Sequence, residues 1–149
     1  MKDFSEVIKV SDIHVERLKY AVQHLKELFP LKVDSLGELS MERLSIIELM
    51  ISRFSKLQDY VGSQVFNYIL TNSGENTDEM TFIDKLNKLE KLRIIESADE
   101  WKKMRQLRNH LTHEYPDHPE ITVHFLNQTF DFSNRLLEAY KQIVKKQQN

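Results

Sequence analysis

Apolar residues recur along this chain at alternating steps of three and four, the spacing that lines one face of an α-helix. In the first such stretch Val15, Leu18, Val22, Leu25 and Phe29 form one stripe, with a start signal at Ser11 and Asp12 and a stop at Pro30. Turn residues Asp34, Ser35 and Gly37 follow. Ser40 then reads as the cap of a long second helix, in which Leu44, Ile47, Ile51, Phe54, Val61, Val65 and Tyr68 keep the period as far as Leu70. The polar run TNSGENTDE, residues 71 to 79, predicts a loop within one domain. A third helix turns Ile83, Leu86, Leu89 and Leu92 inward, and a short break falls at Ile94 and Ile95. Ser97 to Glu100 fits a capping box that opens the fourth helix. Pro116 and Pro119 end that helix, and Asp117 or His118 caps a fifth, buried through Phe125, Phe132, Leu136, Tyr140 and Ile143, with the final KKQQN fraying. The pattern predicts an all-α fold, a five-helix antiparallel bundle forming a single domain over residues 1–149.

Composition sharpens this picture. Three glycines and three prolines in 149 residues leave little turn punctuation, and 30% charged beside 40% apolar residues suits amphipathic helices better than a sandwich or barrel. The absence of cysteine excludes disulfides, thiolate metal sites and cysteine nucleophiles, and fits a reducing compartment. MKDFSEVIKV has no apolar signal core, and no apolar run approaches the roughly 20 residues that span a bilayer, so a soluble cytoplasmic protein with no membrane partner is expected. A net charge of −2 argues against coating nucleic acid by bulk electrostatics. Residues 84 to 108 do gather Lys85, Lys88, Lys91, Arg93, Lys102, Lys103, Arg105 and Arg108, against Asp84, Glu90, Glu96, Asp99 and Glu100. That segment is either a basic patch or the solvated face of two helices.

The candidate chemistry lies in RNHLTHEYPD, residues 108 to 117, at the end of the fourth helix. With Arg108 at zero and about 100° per residue, Trp101 falls at about 20°, Met104 at about 320°, Leu111 at about 300° and Leu107 at about 260°. Arg108 thus sits inside the apolar arc, where a guanidinium needs a partner. If the helix persists to His113, Thr112, Asn109 and His113 form a polar fan beside it, at about 40°, 100° and 140°, able to converge with Arg108 on one small anion. His110 falls on the far side. The purely structural alternative pairs Arg108 with an acid on another helix, uses Asn109 and His113 to satisfy helix-end carbonyls, and packs Tyr115 as an aromatic. Asp59, on the polar side of the long helix, is in this pattern an exposed acid that could approach the groove.

Arg108, four residues, His113, one residue, Tyr115 resembles the R-x4-H-x-Y signature of the HEPN superfamily, specifically its HepT-like toxin branch, and Asn109 directly after the arginine fits the same pattern. The likeness extends to helix count and to the motif's place before the last long helix. It implies a homodimeric bundle, joined through the motif face, that acts as a metal-independent ribonuclease and leaves a 2′,3′-cyclic phosphate. Arg108, Asn109 and His113 would be its catalytic residues, with Arg105, Thr112 and Lys102 available to RNA phosphates. Proteins similar to this one pair with a minimal nucleotidyltransferase antitoxin that transfers AMP to the motif tyrosine, here Tyr115. Other relatives act as non-catalytic partners of a nucleotidyltransferase.

Elementary chemistry fits those roles. Attack by a 2′-hydroxyl needs one group to take its proton and another to protonate the leaving 5′-oxygen, and histidine, with a pKa near 6.5, does either. A dimer would bring together two copies of His113 and of Arg108, whose planar donors suit charge on a pentavalent phosphate. Asn109 would orient phosphate or imidazole. An AMP adduct on the Tyr115 hydroxyl would block RNA by bulk and repulsion. No cofactor is implied. The chemical alternative is a metal site at His110 and His113, with Glu114, Asp117, His118 and His124 nearby, but about 60° separates the two histidines on a helix and the prolines scatter the rest. The chain carries no glycine-rich phosphate loop, no G-x-S-x-G elbow and no helix-turn-helix signal.

Overall fold

The computed structural model describes residues 3–148, which fold as an all-α bundle. The helices are α1 (Phe4–Leu25), α2 (Met41–Tyr60), α3 (Phe66–Asn72), α4 (Phe82–Lys91), α5 (Ala98–His110) and α6 (Pro119–Gln148). A π turn, Val61–Val65, joins α2 to α3 without a break, so the two form one rod and five rods build the bundle. Helix α1 packs along α2, the 30-residue α6 crosses α1, α2 and α5, and α4 lies against α3 and α5. No helix is long and apolar enough to cross a membrane among the described residues.

Helix α1 starts seven residues before the predicted Ser11, at Phe4, where the Asp3 carboxylate caps the Glu6 N–H at 3.0 Å. Ser11 is fully buried mid-helix. Its hydroxyl reaches back to the Ile8 carbonyl at 3.0 Å and meets the Tyr140 hydroxyl of α6 at 2.7 Å. The same Tyr140 O–H donates to Asp12 at 2.8 Å. A serine satisfied in this way is compatible with a helix interior, which a cap reading overlooks. Burial beside Asp12 pushes the Tyr140 phenol well above its ordinary pKa. A second tie joins α6 to the chain after α1: the Asn127 amide accepts from the Leu31 N–H at 2.7 Å and donates to its carbonyl at 3.0 Å.

Ser40 caps α2 through the Arg43 N–H, as its sequence position predicts. Along the α2–α3 rod Leu57, Val61, Val65 and Ile69 are all buried. Steps of four drift by about 40° each on an α-helix, and the wider π turn takes up that drift. The Phe66 N–H bonding back to the Val61 carbonyl marks it. The turn also brings Phe66 inward, edge-on to Trp101 of α5 with ring centroids 4.8 Å apart. The predicted loop begins slightly late, after Asn72, and includes a short 3-10 turn, Thr77–Glu79.

Thr81 and Asp84 close a reciprocal capping box on α4. Leu86 and Leu89 are buried there, whereas Ile83 and Leu92, predicted inward, are exposed at 53% and 39%. Successive steps of three fall back by about 60°, so four such positions span about half the helix circumference and cannot share one face. Ser97 caps α5 through the Glu100 N–H at 3.1 Å, but only half of the predicted box forms. Glu100 lies instead 3.9 Å from Arg135 of α6, while the Ala98 N–H donates to Glu90 at 2.6 Å. His118 holds the cap position of α6, its carbonyl accepting from the Ile121 and Thr122 N–H groups. Buried residues from all five rods meet in one core cluster.

Candidate functional site

Trp101, Met104 and Leu107 bury one side of α5, and Arg108 leaves the helix at the edge of that stripe. Its partner is Asp59, at the end of α2: Nε and Nη2 both donate to Oδ2, at 3.0 and 2.8 Å. The other carboxylate oxygen accepts from the Gln58 amide. Asp59 therefore fixes the direction of the guanidinium from a position 49 residues earlier in the chain. The pair is half-buried, with side chains 35% and 45% exposed. This arrangement matches the structural alternative for Arg108, and it brings Asp59 into the site that the pattern left it outside.

Arg108 and Asn109 line a groove of about 440 Å³ between the π turn, α4 and α5. Lys85 and Arg105 contribute two further cations, and Asp59 is the groove's single carboxylate among the described residues. The guanidinium of Arg105 rests 4.2 Å from the centre of the Phe82 ring. Gly62, in the π turn, permits that ring's position, because a Cβ there would stand 3.3 Å from Phe82 Cε1. Asn67, from α3, also lines the groove, and its Oδ1 is buried with no hydrogen-bond partner among the described residues.

His113 lies elsewhere. Helix α5 ends at His110, and Leu111 caps it, so the helical angles do not extend to His113. The chain turns on through bonds from the Thr112 N–H to the Asn109 carbonyl and from the His113 N–H to the His110 carbonyl. Both bonds span three residues, which tightens the turn and carries His113 around to the other side of the helix end. His113 and Tyr115 there line a pocket of about 370 Å³ with His110, Glu48, Ile51 and Phe125. Arg108 and His113 of the chain thus face separate cavities, and the predicted fan around a single anion does not form.

His110, placed on the far side by its helical angle, shares the His113 pocket and stacks on Phe125 with ring centroids 4.7 Å apart. Tyr115 packs on the same ring at 5.7 Å. Phe125, expected in the core, is only half-buried because it carries this aromatic cluster. The histidines and acids of the region do not gather into any group of three that could hold a metal ion, among the described residues.

Of the flanking residues, Arg105 lies in the groove, whereas Lys102 and Thr112 do not line it. The Thr112 hydroxyl donates to the Asn109 carbonyl at 2.7 Å, which closes the helix end. Elsewhere in the basic segment Lys88 pairs with Glu75 and Lys103 with Asp99, so those charges are already matched. Phe82, Gly62 and Asn67 were not singled out by motif or charge. Only the T-x-x-D capping signal at Thr81, by starting α4 at Phe82, places that half-buried ring in the first turn.

No protein-family model matches this chain, and no curated protein or solved structure matches it either.

Proposed function

We propose that this chain is a HEPN-type, metal-independent endoribonuclease of a toxin–antitoxin pair, working as a homodimer and restrained by AMP transfer to Tyr115 from a minimal nucleotidyltransferase. The observation that carries the reading is the division of the motif at the end of α5, with Arg108 and Asn109 on one side and His113 and Tyr115 on the other. Each chain offers one histidine at the position the resembled motif requires, His113, while His110 beside it is stacked on Phe125, and cleavage by a 2′-hydroxyl asks for two proton-transferring groups. A second copy docked on the helix end would supply the other histidine and oppose an arginine to it. Among the described residues Arg108 Nη1 makes no bond, which leaves it to meet a phosphate. Tyr115 is half-buried and reachable by a transferase.

The alternative, a non-catalytic helical partner of a nucleotidyltransferase, draws on the same ion pair, since an arginine already held by Asp59 also suits a purely architectural role. His113→Ala separates the two. On the nuclease reading it abolishes RNA cleavage by purified protein and toxicity in cells, while the folded dimer persists. Unchanged cleavage and toxicity would leave the partner module. Cleavage should also run fully in excess EDTA, and its loss there would overturn the metal-independent mechanism.

A further inference from the structure

Two helices and the π turn build the cationic groove beside Arg108, and its composition is selective. Phe82 and Lys85 project from α4 three residues apart, and Arg105 and Arg108 from α5 at the same spacing, so each pair shares a helix face. The carboxylate of Asp59 is used up by Arg108 and Gln58, and neither Lys85 nor Arg105 forms an ion pair among the described residues. Two cations are therefore uncompensated in a space of about 440 Å³, within the roughly 300–1,000 Å³ usual for small-ligand sites. The exposed guanidinium of Arg105, backed by the Phe82 ring, is a planar surface rather than a bare point charge. Asn67 lines the groove as well.

We propose that this groove seats one unpaired nucleotide of a single-stranded RNA, its base laid on the Arg105–Phe82 pair and its phosphate on Lys85 and the free edge of Arg108. The inference rests on the ribonuclease reading and adds to it a base-binding seat outside the motif, built on Phe82 and Arg105. Guanidinium planes and aromatic rings take up bases that have left a helix, and a paired base offers no face to them. Phosphate on Arg108 would bring the strand to the end of α5, where His113 of a docked copy could reach it. With its oxygen buried, Asn67 would have only its amide N–H left to meet the base edge or the ribose hydroxyl.

The test uses the full chain carrying His113→Ala, so that RNA stays intact, and fluorescence anisotropy in EDTA. The probes are a labelled single-stranded hexaribonucleotide, the same strand with abasic sites, and a duplex. Phe82→Leu and Arg105→Lys, the latter keeping charge while losing the plane, should each weaken binding of the intact strand about tenfold and leave the abasic strand unchanged. Lys85→Ala should weaken both strands. The duplex should bind less tightly than the single strand. Intact-strand binding unaffected by Phe82→Leu and Arg105→Lys, or equal losses for intact and abasic strands, would overturn the base seat, as would failure of the parent to bind RNA. Cleavage by the chain with His113 restored is read separately. Cleavage with no Phe82 or Arg105 effect on binding sinks the seat alone, and the expected binding pattern without cleavage sinks the nuclease alone.

Discussion

Asp59→Asn keeps the size of the side chain that holds Arg108 and removes its charge, so it separates what the ion pair does for the fold from what it does for the site. Both Arg108 bonds fall on one oxygen, at 3.0 and 2.8 Å, and an amide oxygen can still accept them, though more weakly. With the two side chains 35% and 45% exposed, solvent screens the pair. Its contribution to stability is then about 0.5–1 kcal/mol, a fall in Tm of about 1–4 °C for a chain of this size. In the groove, losing the single carboxylate changes the balance from three cations against one to three against none. A unit charge roughly 7 Å from a bound phosphate, in a largely aqueous dielectric, is worth about 0.8 kcal/mol, so RNA should bind about fourfold more tightly at low salt. The guanidinium would at the same time lose its fixed direction, and kcat should fall about ten- to a hundredfold. Thermal unfolding, anisotropy in the His113→Ala background and single-turnover cleavage read the three quantities apart. Tighter binding with undiminished kcat would refute the claim that Asp59 aims Arg108. A Tm loss well beyond the screened value would make the pair mainly structural.

Other regions carry their own tests. Burial, and then Arg53, Lys56 and Arg17, hold His14 below its ordinary pKa of 6.5, with Arg53 Nη1 3.0 Å from its Nδ1. The unfolded chain then takes up the proton first, so stability is full above pH 6.5 and declines as pH falls from there through the lowered folded value; His14→Gln should flatten that acid-side slope in denaturant titrations at several pH values. Tyr140→Phe removes the bonds to Ser11 and Asp12 at a buried site and should cost about 1–2 kcal/mol by urea unfolding; an unchanged midpoint would mean water replaces them. Arg93, at φ 59° after α4, sits where glycine is preferred, and Arg93→Gly should raise stability by about 0.5–1 kcal/mol because the Lys146 bond to its carbonyl is kept.

Periodicity carried most of the fold into view, because five rods each show an apolar stripe and the breaks between them hold proline, glycine or capping residues. What it misplaced depends on partners distant in sequence. Ser11 reads as a cap until Tyr140, 129 residues away, is seen to satisfy it. The π turn is invisible to a fixed 100° step, and its effect appears only as the four-residue spacing of Leu57, Val61, Val65 and Ile69. Ile83 and Leu92 show the opposite error, since equal steps of three pass for a stripe over a short helix and fail over nine residues.

For the site, the sequence pattern marks the motif residues but not their mutual geometry. Their spacing is local, and a helical wheel arranges them correctly only while the helix lasts. Leu111 ends it after His110, and two three-residue bonds then suffice to turn His113 away from Arg108. The groove is still less legible, because Phe82, Gly62, Asn67 and Asp59 lie on other elements and each alone has an ordinary structural reading. Their assembly follows from a single backbone feature: the π turn in the long rod places Gly62 against Phe82, which supports Arg105, one helical turn before Arg108. A stability-neutral change at Gly62 would therefore be expected to reach the motif through packing alone. In Gly62→Ala the gain of about 1 kcal/mol in helix propensity is offset by the tight contact of its Cβ, 3.3 Å from the ring, which obliges Phe82 to shift by a few tenths of an ångström. If folding is unchanged by thermal melts and intact-strand RNA binding weakens as in Phe82→Leu, the groove and not the motif alone sets how the strand is held. If binding is unaltered, Arg105 keeps its place without the ring, and the link from the π turn to the site is broken.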